Sequence, residues 1–156
     1  MIKTEAIVLK SANTGEVDRL LTIYSKELGK VRILAKGVKK IESKLRYSIE
    51  PFSYVQLILI EGRSFYILKD AVLIDQFLGV KRDLKKLVVA QKIREIIDQA
   101  IVGQEKDEDV WDLILRTFKK INQELIELSI VKEFFKNLIV FLGYDPQEVK
   151  QLRDLY

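Results

Sequence analysis

The spacing of apolar residues changes period once along the chain. In the first half it is two. The segment TEAIVLK, residues 4–10, sets Ala6 and Val8 on one face and Ile7 and Leu9 on the other, and residues 19–25 and 30–36 repeat the alternation with β-branched residues. Asn13 to Gly15 and the segment around Gly29 supply the chemistry of tight reversals between them. Pro51 then opens two long apolar runs broken at Glu61-Gly62-Arg63, the pattern of a hairpin. Five strands within about 75 residues, with the widest gap between the third and fourth, predict a small barrel, with an OB-fold as the first candidate.

From Lys81 the period becomes helical. Leu84, Leu87, Val88, Ile93, Ile96, Ile97, Ala100 and Ile101 form one stripe, with Gly103 placed to end it. Val110, Ile114, Phe118, Ile121 and Leu125 form a second, capped by Asp107 or Asp109. Val131, Phe134, Phe135, Leu138 and Leu142 form a third that stops at Gly143, and Asp145-Pro146 reads as the start of a short terminal helix. The predicted class is α+β, with a five-stranded OB-fold barrel over residues 1–79 followed by an all-helical domain over residues 80–156.

Composition narrows the chemistry. The chain of 156 residues is 48% hydrophobic, enough for a core, and carries a net charge of +4. Residues 1–79 hold 13 Lys and Arg against 9 Asp and Glu, whereas residues 80–156 hold 14 of each, so the whole excess lies in the strand half. With no cysteine and no histidine, disulfides, Cys/His zinc sites, thiol nucleophiles and imidazole catalysis are excluded. No phosphate loop, nucleophile elbow or spaced carboxylate pair replaces them, which points away from an enzyme and gives no reason to expect a cofactor. The N-terminus lacks the pattern of a secretory signal, and the longest apolar stretches fall short of the roughly 20 residues a membrane helix needs, so a cytoplasmic protein without a membrane partner is expected.

The excess charge is concentrated. AKGVKKIESKLR, residues 35–46, holds Lys36, Lys39, Lys40, Lys44 and Arg46 against Glu42 alone, and Arg32 extends the run onto the preceding strand. A solvated connection between strands would look similar. A stripe of phosphate contacts accounts better for the excess of positives, with Gly37 admitting a close backbone approach. Tyr24, Tyr47, Phe52, Tyr54, Phe65 and Tyr66 also lie in this half. Each is either core or a platform for unpaired bases, with Tyr47, beside Lys44 and Arg46, the best placed for exposure.

In the helical half, Trp111, Phe134, Phe135, Phe141 and Leu138 form an aromatic-rich stripe with Lys119, Lys120, Lys132 and Lys136 nearby. Core packing explains such a stripe. So does a groove for an apolar, acidic tail of a partner, bound by Lys132, Phe134, Phe135, Lys136 and Leu138. The acidic run from Glu105 to Asp112 lacks the loop glycine of a calcium site and suits a helix N-terminus instead.

Taken in order, Thr4 to Leu9, Gly15-Glu16-Val17-Asp18-Arg19-Leu20-Leu21-Thr22, Glu27-Leu28-Gly29-Lys30, Ala35-Lys36-Gly37 with Lys40, and Pro51-Phe52 resemble the N-terminal half of the RecO family of bacterial recombination mediators. RDLKKL and FLGYDP further on are similar to that family's helical portion. The resemblance implies an OB-fold followed by helices, binding of single- and double-stranded DNA, annealing of complementary strands, and recombinase loading with a RecR-like partner on DNA covered by single-stranded DNA-binding protein. Many members carry a four-cysteine zinc cluster after the Gly-Tyr-x-Pro region, and without cysteine no zinc is expected here. An OB-fold adapter that binds protein rather than nucleic acid is the competing reading.

Overall fold

The computed structural model describes residues 1–40, 45–145 and 147. The chain packs as two compact units, Met1–Gln76 with Gly103–Asp107, and Phe77–Val102 with the described residues from Glu108 onward.

The first unit is a closed barrel of β1 (Ile2–Thr14), β2 (Asp18–Ser25), β3 (Gly29–Ala35), β4 (Tyr54–Glu61) and β5 (Tyr66–Asp75), in the order β1-β2-β3-β5-β4. This is the OB-fold expected from the strand pattern. Closure depends on β1, which pairs with β4 through Ile2–Ile7 and with β2 through Ala6–Thr14. One strand serves both because its register shifts between Val8 and Lys10, and a bulge there bends the strand. A short parallel pairing of Ile33 and Leu34 with Tyr66 and Ile67 closes the other side.

Period-two alternation fills the interior. Ala6, Val8, Leu21, Ile23, Ile33, Val55, Leu57 and Leu59 are fully buried in one cluster. The connection from β3 to β4 adds two plugs, Val38 and Ile49, also buried. At these two residues the connection is tied to the core.

The second unit holds α1 (Leu78–Lys81), α2 (Leu84–Ala100), α3 (Glu108–Gln123) and α4 (Ser129–Phe141). Asp83 caps α2, its carboxylate accepting from the Lys85 and Lys86 backbone N–H groups at 3.0 and 3.3 Å. Glu108 and Asp109 occupy the first turn of α3, as macrodipole complementarity requires. Val110, Ile114, Phe118 and Ile121 are buried with Ile93, Ile97, Phe134 and Leu138. Leu125, expected to continue the α3 stripe, lies beyond the helix end and is fully exposed, because α3 stops at Gln123. Gly143, with φ of 80°, follows α4 as expected. Pro146 and most of the segment expected to start a terminal helix lie outside the described residues. Among the described residues, no helix is long and apolar enough to cross a membrane.

Candidate nucleic-acid interface

The basic segment is held in place by its own backbone. The Gly37 N–H donates to Asp18 Oδ1 at 2.6 Å, and the Lys39 N–H donates to the Val17 carbonyl at 2.9 Å. Both acceptors belong to the β1–β2 turn or the start of β2. With Val38 buried between them, this stretch is fastened at three consecutive residues, and the side chains of Lys36 and Lys40 are left in solvent. No ion pair among the described residues uses Lys36, Lys39 or Lys40. Gly37 earns its place through a φ of 66°, and its N–H is already taken by Asp18. The left-handed conformation of the turn favours glycine there.

Arg46 returns toward β4 with its guanidinium 4.9 Å from the Tyr47 ring centre. Tyr47 is 61% exposed, so this pair offers a charged and an aromatic surface together. Lys44 lies outside the described residues. Of the other strand-half aromatics, Tyr24, Phe52 and Tyr54 are buried, and burial pushes the Tyr24 and Tyr54 hydroxyls well above the usual phenol range. Phe65 and Tyr66 are half-buried.

Arg32 projects from the outer face of β3. The pairing of Ile33 with Tyr66 brings it beside the β4–β5 turn, where its guanidinium lies 5.2 Å from the Phe65 ring centre. Together with Glu61, Arg63, Tyr66 and Gln104 these residues line a cleft of about 280 Å³. The turn is tight: a Cβ at Gly62 would stand 2.3 Å from the Phe65 carbonyl oxygen.

Gln104 reaches the cleft from a strap, Gly103–Asp107, that packs with the barrel. Contacts along its length hold the strap. The Gln104 amide donates to the Tyr66 hydroxyl at 3.3 Å, and Lys106 donates to Glu27 Oε2 at 2.9 Å. The Glu105 backbone crosses so close to Gly29 that a Cβ there would stand 2.1 Å from the Glu105 carbonyl oxygen. The hydrogen bond from Lys106, reinforced by its charge, holds the Glu27 carboxyl below the ordinary range. Nothing in the local pattern marks Gln104, which falls in the stretch read as a helix end. Arg63 and Phe65 carried a readable signal, a cation and an aromatic in the turn between the last two barrel strands, where OB-folds hold ligands.

The helical unit separates the residues that the stripe had grouped. Phe134, Phe135 and Leu138 are buried in its core, while Lys132 and Lys136 are exposed. A cleft of about 130 Å³ opens between α3 and α4 at Ile130, Phe134 and Asn137, with Arg116 and Lys120 of α3 as its cations and Glu133 as its acid. At 100° per residue, Lys132 and Lys136 lie on another side of α4 from these positions.

Residues 1–77 match the family model described as Recombination protein O N terminal. Over 94% of its length the chain is 31% identical to the DNA repair protein RecO of Thermoanaerobacter sp. (strain X514), and equally to that of Alkaliphilus metalliredigens (strain QYMF). Over 92% of its length it is 33% identical to the DNA repair protein RecO of Desulforamulus reducens. The alignments cover 60%, 60% and 56% of those proteins, so the chain spans about three fifths of the length of the curated relatives it matches.

Proposed function

From the membership of the barrel in the RecO N-terminal family, we propose that this chain is a DNA-binding recombination mediator, acting without catalysis to anneal complementary strands and to help load a recombinase onto single-stranded DNA during repair. The observation that carries the reading is the pinned basic segment. Lys36, Lys39 and Lys40 are free of ion pairs among the described residues and are fixed through Asp18 and Val17 at the end of the strand that carries Arg32. From Arg32 to the strand end at Ala35 β3 rises about 10 Å, the span of roughly three stacked nucleotides, and Lys36 follows directly. Annealing then needs no reacting group. Cations that neutralise phosphates lower the repulsion between two strands, and base pairing supplies the driving energy.

Titration of single- and double-stranded oligonucleotides across a salt series tests this. With about four phosphates neutralised, log affinity for single strands should fall against log salt with a slope of roughly −3. Absence of binding at low salt would favour the protein adapter.

The α3–α4 cleft supports docking of the acidic, apolar-ended tail of single-stranded DNA-binding protein. An apolar floor at Ile130 and Phe134 with Arg116 and Lys120 beside it suits that chemistry. A titrated tail peptide should saturate, and charge reversal at Arg116 and Lys120 should abolish binding while reversal at Lys132 and Lys136 leaves it. The opposite pattern would return the site to the exposed lysines. Assembly with a RecR-like partner follows from the family resemblance, and co-elution with such a protein tests it.

A further inference from the structure

The cleft of about 280 Å³ between β3, the β4–β5 turn and the strap has a composition that phosphate binding alone does not explain. Its walls combine two arginines, two half-exposed aromatic rings and a carboxamide, with Glu61 as the opposing charge. We propose that this cleft is a subsite for one unpaired nucleobase, stacked on the Phe65 and Tyr66 side and hydrogen-bonded at its pairing edge by Gln104. The inference rests on the DNA-binding reading and adds to it a preference for single strands.

Three features carry it. The guanidinium of Arg32 lies over one face of the Phe65 ring at 5.2 Å, which sets a planar cation and an aromatic ring in one stack, the two kinds of plane on which splayed bases stack. Two arginines against Glu61 leave the rim net positive, which favours the phosphates flanking a bound base. Gln104 spends one amide N–H on the Tyr66 hydroxyl, which orients the group and leaves its second N–H and its carbonyl for a ligand.

That remaining donor and acceptor define the selectivity. Every nucleobase carries, on its pairing edge, an N–H beside an acceptor nitrogen or oxygen. A primary amide presents the complementary pair and fits each of them. In a duplex the same edge is occupied by the opposite strand. The cleft therefore distinguishes unpaired from paired bases and discriminates little among the four.

The probe is a short oligothymidine strand with 2-aminopurine at alternate positions, used alone and annealed to its complement, with the full chain. Single-strand binding should quench the 2-aminopurine fluorescence. Gln104→Ala and Phe65→Leu should each weaken single-strand binding about tenfold, leaving duplex affinity and the single-strand salt slope unchanged. Gln104 is exposed, so its variant tests the site without disturbing the core, and Phe65→Leu keeps apolar volume while removing the ring. Equal loss on single strand and duplex, or wild-type affinity in both variants, would overturn the base subsite with the DNA-binding reading intact. Failure of the wild type to bind either probe would overturn both.

Discussion

The basic segment and the cleft beside Arg32 belong to the same barrel and both gather cations, yet they are assembled in opposite ways. Lys36, Lys39 and Lys40 are neighbours in sequence, and the fold only has to fix their backbone through Gly37 and Val38. The cleft draws Arg32 from β3, Arg63 to Tyr66 from a turn, and Gln104 from a strap between two helices. The first arrangement supplies charge, which acts through salt-dependent attraction and tolerates imprecise placement. The second supplies shape and directed hydrogen bonds, which are lost when any one contributing segment shifts.

Shifting the strap should give the largest effect. Gly29→Ala places a Cβ against the Glu105 carbonyl at a φ of 72°, a left-handed conformation that alone costs about 1–2 kcal/mol. Displacement of the strap raises the total to about 3 kcal/mol, measurable as a lowered urea midpoint. If the strap is what completes the cleft, this variant also loses its single-strand preference and keeps its salt slope.

The counterpart on the basic segment is Asp18→Ala. It removes a charge-assisted bond of 2.6 Å to the Gly37 N–H, with an expected loss of about 1.5–3 kcal/mol in chemical denaturation. Single strands and duplexes should weaken together. A change confined to single strands would break the distinction between the two regions.

Arg32→Ala is expected to do less, because one cation serves both regions. Loss of one phosphate contact lowers the single-strand slope by about 0.7. Fluorescence anisotropy across a salt series reads this, together with the accompanying loss of 2-aminopurine quenching.

The smallest effect concerns pH. The folded Glu27 carboxyl lies below its unfolded value because Lys106 donates to it. Its contribution is therefore present above the ordinary carboxylate range, near pH 4.3, and is lost as pH falls through the lower folded value. Glu27→Gln should differ slightly from wild type in denaturation midpoint at neutral pH, and the difference should vanish in acid.

The comparison also explains which parts of the molecule the sequence made legible. Alternation at Ala6, Val8, Val55, Leu57 and Leu59 foretold the barrel because every inward position is apolar. The basic segment was legible because charge density is a local property. Gln104 was not, since only the fold brings the strap against Tyr66. α1 was missed because four residues are too few to show a period. Leu125 was misplaced because an apolar residue at the right spacing does not show where the helix ends. Lys132 and Lys136 stand exposed beside the buried Phe134 and Phe135, and the α3–α4 cleft was not legible because its cations, Arg116 and Lys120, come from another helix.

The most direct test is a salt series on single-stranded DNA with three proteins side by side: wild type, the triple variant Lys36→Ala/Lys39→Ala/Lys40→Ala, and Phe65→Leu. The expected slope of roughly −3 for wild type should fall to about −1 in the triple variant and stay unchanged in Phe65→Leu, whose affinity drops about tenfold at every salt concentration. A triple variant that keeps the wild-type slope would contradict the assignment of the basic segment to phosphate binding.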